Sequence, residues 1–211
     1  MKTKITIFFT FLLLTAAVIA AAVVNTHREY YNGDFDIETY ISRVDADGDG
    51  IDDQTDILAG AKKYIAEKPK YKSKYYASGY PDDEYGVCTD VVAFALKSAG
   101  YDLMDLVNLD IINNREKYNV EIPDKNIDFR RVRNLDVYFK NNAVVLTFDL
   151  SDIKEWQGGD IVVFKNHIGI VSDKRNKKGI PFLIHHSGPM QLKYEENVLE
   201  SYEIAAHYRV S

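Results

Sequence analysis

The chain has 211 residues, 46% of them hydrophobic and 27% charged, with a formal net charge of −6. That balance belongs to a folded globular chain and excludes collagen-like, low-complexity or wholly disordered sequences. No basic block is present, so the phosphate neutralisation that nucleic-acid binding requires is not expected.

Lys2 and Lys4 precede an uncharged apolar run from Ile5 to Val24. A positive start followed by such a run reads as an export signal. The run approaches the roughly 20 residues that span a bilayer, while Ala20 and Ala22 offer a small-residue cleavage site. Residues 1–28 are therefore expected to be a cleaved signal peptide or a membrane anchor. The positive-inside rule then makes the protein extracytoplasmic, membrane-anchored or secreted, with a charge of −8 once Lys2 and Lys4 are set aside.

Phe35–Arg43 reads as a short helix, followed by an acidic, glycine-punctuated loop from Asp45 to Asp56. A helix is expected around Ile57–Glu67, with Ile57, Leu58, Ala61, Tyr64 and Ile65 on one stripe. Lys68–Tyr85 is a tyrosine-rich connector broken by Pro69, Gly79 and Pro81. The next helix starts at Cys88 or Thr89, buries Val91, Val92, Ala95, Leu96 and Ala99, and stops at Gly100. Asp102–Lys117 and Asn134–Asn141 also have helical patterning. Beyond them, Ala143–Phe148, Asp160–Lys165, His167–Lys174, Pro181–Ser187 and Ile204–Val210 read as strands separated by short turns. Helices first and strands after predict an α+β fold, with N-terminal helices packed on a C-terminal antiparallel sheet.

Cys88 is the only cysteine, which excludes an internal disulfide and any multi-cysteine zinc site. Exported proteins tend to pair their cysteines, so a lone thiol asks for an explanation. At a helix start, unpaired backbone N–H groups and the helix dipole stabilise a thiolate and can receive an oxyanion. The missing partner is an imidazole. His167 and the doublet His185-His186 lie in the strand region. Strand alternation points the two doublet residues in opposite directions, so only one is expected to join His167 at a common site. A transition-metal site built from Cys88 and these histidines is a weaker reading of the same residues.

The order Val87-Cys88-Thr89-Asp90, then Gly159-Asp160-Ile161-Val162-Val163-Phe164, then His167-Ile168-Gly169-Ile170, then Ile184-His185 resembles NlpC-type cell-wall cysteine peptidases of papain-like fold. More closely it resembles the domain-of-unknown-function family 1287, a group of exported amidases by expectation, from about Asp45 to the closing His207-Tyr208-Arg209. The resemblance implies a papain-like cysteine amidase domain over residues 71–211, preceded by a helix–loop–helix segment over 29–70. It implies Cys88 as nucleophile, His167 as base and His185 as the orienting residue, with no cofactor for catalysis. NlpC enzymes usually carry Asp-Cys-Ser-Gly where this chain has Val87-Cys88-Thr89-Asp90. Cell-wall peptide as substrate is therefore implied only at the superfamily level.

Asp128, Arg130 and Arg131, within a run that also holds Arg133, are candidates to bind a substrate carboxylate, since the guanidinium fork suits it. Tyr85, with Tyr71, Tyr75, Tyr76 and Tyr80, is a candidate cleft residue. In the acidic loop, Asp45, Asp47, Asp49, Gly50, Ile51, Asp53 and Asp56 fall at positions 1, 3, 5, 6, 7, 9 and 12 of a calcium loop. It looks like a dockerin or thrombospondin-repeat loop, with Asp56 in place of the usual final Glu. Structural calcium is thus expected, on a monomer. The rival reading is a non-catalytic, calcium-stabilised wall-binding module of the same fold.

Overall fold

The computed structural model describes residues 28–210, so the export segment expected over residues 1–28 lies outside the described residues except for Arg28. Among the described residues no helix is long and apolar enough to cross a membrane.

Asn32–Phe35 forms a single 3-10 turn, which Asp36 ends in the left-handed region at φ 53°. The helix expected over Phe35–Arg43 does not form. Its amides are bonded at long range instead: Tyr40 N–H donates to Gln157 Oε1 at 3.2 Å and Ser42 N–H to Asp52 Oδ1 at 2.9 Å. Side-chain acceptors have displaced the i−4 carbonyls that a helix would use. Helix α1 (Asp53–Ala66) starts four residues before the expected Ile57, because Asp52 caps it through Thr55 N–H.

The connector after α1 contains a short parallel pair, β1 (Lys70–Tyr71) and β2 (Tyr85–Gly86), which local patterning does not signal. Helix α2 (Cys88–Ser98) follows at the expected start, and Gly100 at φ 84° supplies the expected left-handed stop. Then come α3 (Leu103–Asn113), the short α4 (Lys125–Asp128) and α5 (Val132–Asn142). The remaining strands are β3 (Val144–Val145), β4 (Ile161–Phe164), β5 (His167–Arg175), β6 (Pro181–Ile184), β7 (Glu195–Glu196) and β8 (Ile204–Arg209). They form one antiparallel sheet in the order β3-β8-β4-β5-β6-β7. The fold is α+β, helices in the N-terminal half and sheet in the C-terminal part.

Alternation divides the sheet into two faces. Ile161, Val163, Ile168, Ile170 and Ile184 join the helices in the main core, around Ile57, Val91, Ala95, Leu96, Leu103 and Phe139. Val162, Phe164, Val171 and Leu183 face a smaller core with Trp156, Ile180 and Leu199. Helix α1 meets α2 at Gly60, where an added Cβ would lie 2.8 Å from Ser98 Cβ. Such close packing makes α1 part of the same compact unit, which begins at Tyr31, so the segment expected over residues 29–70 is not a separate body.

One polar knot ties α1, the loop before β4, and β8. Asp160 Oδ1 accepts from Arg209 Nε at 2.7 Å and Gln54 Nε2 at 2.9 Å. Its Oδ2 accepts from Gln157 N–H at 2.8 Å and faces His207 Nε2 at 3.0 Å. Trp156 stacks on His207 with centroids 3.9 Å apart. Asp160 and His207 are fully buried, so removing the acceptor strands donors away from water. Asp160→Ala should cost about 3–5 kcal/mol in urea unfolding. A loss under about 1 kcal/mol would show that the knot contributes little to stability.

Candidate active site

The start of α2 is held from three directions. Val87 N–H donates to Asp90 Oδ2 at 2.8 Å, closing the helix on itself. Arg130 clamps the same carboxylate from the chain after α4, Nε to Oδ1 at 2.6 Å and Nη2 to Oδ2 at 2.9 Å. Thr89 Oγ1 donates to the Arg130 carbonyl at 3.2 Å, and Arg130 Nη1 to the Lys74 carbonyl at 2.6 Å. The first helical residue is Cys88.

Backbone amides of Ile168, Thr89 and Cys88 reach the sulfur and favour its thiolate. Burial opposes them and dominates, pushing the thiol up to about 11, and the Asp90 charge adds to the rise. The Ile168 amide belongs to the residue after His167, so the start of β5 and the start of α2 meet at the thiol.

β5 and β6 pair with Ile170 opposite Ile184. Continued one step, that register sets Gly169 opposite His185 and makes His167 the diagonal neighbour of His185 on the same face. The two rings meet as that geometry requires, His167 Nε2 to His185 Nδ1 at 2.8 Å. Gly169 permits it: a Cβ there would stand 2.8 Å from the Ile184 carbonyl oxygen. On the far side His185 Nε2 faces Glu196 Oε2 at 3.2 Å, and Gln191 Nε2 donates to the same oxygen at 3.0 Å.

These contacts fix the protons. Burial, and for His167 also the neighbouring His185 and His186, lowers both imidazoles to about 4, so both are neutral near pH 7. A carboxylate only accepts, so His185 Nε2 carries the hydrogen and His185 Nδ1 is an acceptor. His167 must then donate from Nε2, which leaves its Nδ1 as the free base.

Strand β6 ends at Ile184, so the doublet stands just past the strand in which it was expected. His185 N–H turns to the Tyr194 carbonyl at 2.8 Å. His185 and His186 still diverge as expected. Yet His186 is not remote from the site: its ring lies edge-on to Tyr71, centroids 5.2 Å apart, and to Tyr194, 5.0 Å. The Tyr71 phenol is raised by burial and, after it, by the Cys88 charge. Glu196, which faces His185, is thus a residue that sequence reasoning missed, while Tyr71, one of the candidate cleft tyrosines, packs on His186.

Other expectations change. Arg130 and Asp128 are buried, and Arg130 is spent on Asp90, so Arg130 is not open to a substrate carboxylate but anchors the helix that starts at Cys88. Asp128 accepts from Asp124 N–H at 2.7 Å, and Arg131, at the surface, lies 3.7 Å from Asp128. Tyr85 sits in β2 and lines a cavity of about 510 Å³ with Tyr64, Glu67 and Phe94, whose lining excludes Cys88, His167 and His185. Among the described residues the metal-competent cluster is Asp45, Asp47 and Asp49; Cys88 and the histidines do not form one.

The family model for the domain of unknown function DUF1287 matches residues 58–210. The chain is 36% identical over 166 residues to the uncharacterized protein YijF of Escherichia coli (strain K12), covering 72% of this chain and 80% of that protein. No solved structure matches.

The neutral histidines have a consequence for stability. Unfolded, each takes up a proton as pH falls through about 6.5; folded, each resists until about 4. The unfolded state therefore binds more protons across that window, and stability falls as pH drops from 6.5 to 4. Replacing both, His167→Gln with His185→Gln, should flatten the fall in melting temperature between those values. An unchanged slope would place the acid sensitivity elsewhere.

Proposed function

The chain belongs to the DUF1287 family, a domain of unknown function, and we propose that it is an exported cysteine hydrolase that cleaves amide bonds of cell-wall peptides. The observation that carries this reading is the chain His167–His185–Glu196, whose proton order leaves a free imidazole nitrogen on the residue next to Ile168, whose backbone amide reaches the thiol at a helix start. Its likeness to papain-like peptidases of the NlpC type rests on the motif order, and the α+β fold supports it.

The reaction follows from the positions. Cys88 transfers its proton to His167 Nδ1 as Sγ bonds to the amide carbon. The carbonyl oxygen, now negative, is received by backbone amides at the start of α2. The C–N bond breaks, the amine leaves with the His167 proton, and a thioester remains. Water then gives a proton to His167, attacks the thioester and returns Cys88 as a thiol.

With the thiol near 11 and the imidazole near 4, the resting pair is thiol and neutral ring rather than an ion pair. The nucleophile is generated in the presence of substrate. Met190 and Leu192, exposed on the loop whose Gln191 bonds Glu196, give this side of the site an apolar rim for a peptide.

Mass spectrometry of muropeptides incubated with the protein tests the reading. Cys88→Ser should lower cleavage on the order of 10⁴-fold or more. The acid limb of kcat/KM should fall near pH 4, because only His167 protonation must be avoided. Glu196→Ala should be more damaging than Glu196→Gln. A glutamine can set its amide oxygen where Glu196 Oε2 accepts from both Gln191 Nε2 and His185 Nε2, which keeps both tautomers, whereas alanine removes the acceptor that fixes them. Equal losses would reject the proton order, and full activity in Cys88→Ser would reject the cysteine mechanism and favour a binding module.

A further inference from the structure

The acidic loop is bound into the body of the protein, yet one of its carboxylates is left without a partner. Asp45 Oδ1 accepts from Gly48 N–H at 2.8 Å and Asp49 N–H at 3.2 Å, and its Oδ2 from Gly50 N–H at 3.0 Å. Asp47 Oδ1 and Asp49 Oδ1 each accept one amide, from Asp49 and Ile51. Oxygens of Asp45, Asp47 and Asp49 thereby lie within 4.8 Å of one another. Such wrapping alone is what any acidic turn shows.

Asp56 is different. It is 9% exposed, one turn into α1, and its Oδ2 is shielded from solvent with no hydrogen-bond donor. Asp56, through Ser98, and Asp47, through Gly100, both pack on the end of the same helix, α2, and burial followed by the charges of Asp49, Asp47 and Asp45 raises the Asp56 pKa. A buried carboxylate oxygen beside three like charges is unfavourable unless a cation answers it.

We propose that Asp45, Asp47, Asp49 and Asp56, with the Ile51 carbonyl, form a calcium site that fastens this loop to the C-terminal end of the nucleophile helix. An all-oxygen donor set of carboxylates and a carbonyl is the chemistry of a hard divalent cation. The set differs from the sequence expectation in one member. Asp53 is left out because, unlike the exposed Asp45, Asp47 and Asp49, it is almost wholly buried, with Oδ1 accepting from Ala46 N–H at 2.8 Å and Oδ2 from the Tyr101 hydroxyl outside the loop.

The role follows from the neighbours. A Cβ on Gly100 would lie 3.1 Å from Asp47 Cβ, and Ser98 Oγ donates to the Asp56 carbonyl at 2.9 Å. Both contacts are with the end of α2 (Cys88–Ser98), whose other end carries the thiol, roughly 15 Å away along the helix at 1.5 Å per residue. Calcium therefore stabilises the fold and takes no part in the chemistry at Cys88. The angle between a Phe35 helix and α1 is not what it sets, since no Phe35 helix exists.

Calorimetric titration of the full-length protein with calcium chloride, and melting curves in calcium and in chelator, test the site. One calcium per chain should bind, with Kd at or below about 1 mM, and the melting temperature should climb with free calcium. Asp47→Asn with Asp49→Asn, both exposed, should abolish binding without unfolding the chain. Asp56→Asn should show a reversal of sign: more stable than the natural chain in chelator, where repulsion is relieved, and less stable in saturating calcium, where a ligand is lost. No binding at about 10 mM calcium, magnesium binding as tightly as calcium, or Asp56→Asn stabilising equally in both media would each overturn the proposal.

Discussion

The site depends first on the buried pair of Asp90 and Arg130. Asp90 closes the first turn of α2 through Val87 N–H, and Arg130 holds that carboxylate bidentately while its own carbonyl receives Thr89. Both side chains are almost wholly removed from water, so neither charge tolerates the loss of the other. Tyr76 stacks against the guanidinium, centroid to carbon 5.0 Å, and links the tyrosine-rich connector to the same anchor. The pair also opposes what it positions. The Asp90 charge raises the Cys88 thiol and disfavours its ionisation, an effect smaller than burial but of the same sign.

The second constraint is where β6 leaves β5. Pairing holds at Ile170 and Ile184, then His185 N–H goes to Tyr194 rather than back to β5. Extending the β5–β6 register one step puts His167 and His185 together on one face, while His186 diverges toward Tyr71. Glu196 of β7 meets His185. A strand end, a glycine and a two-residue edge strand together produce a proton order that no single residue encodes.

Local patterning in the sequence is enough to find the elements that are held locally. Helix α2 is legible because Val91, Val92, Ala95, Leu96 and Ala99 repeat at helical spacing ahead of Gly100. The cores of β4, β5 and β8 are legible through their β-branched runs, and the meeting of His167 with only one residue of the histidine doublet through strand alternation. Phe35–Arg43 misleads because its amides are bonded by Gln157 and Asp52, the first of them 117 residues distant. Arg130 misleads for the same reason. Three clustered arginines suggest an open anion site, whereas the partner of Arg130 lies 40 residues earlier in the chain. Glu196 carries no periodic signal, being half of a two-residue strand.

Helix α2 consequently has two ends with opposite demands. Its N-terminus carries the thiol and is held by Asp90 and Arg130 rather than by apolar packing alone. Its C-terminus carries no chemistry and is packed tightly, against Gly60 of α1 and, through Gly100, against the acidic loop. Rigidity is placed where a shift would propagate along the helix axis to the sulfur. A displacement of about 1 Å at a reacting atom can cost 10²-fold in rate, so fixing the far end of an eleven-residue helix bears directly on the near one. In the reaction we propose, the loop before α1 and the sheet beyond β4 serve one function, holding the Cys88 sulfur still relative to the His167 ring.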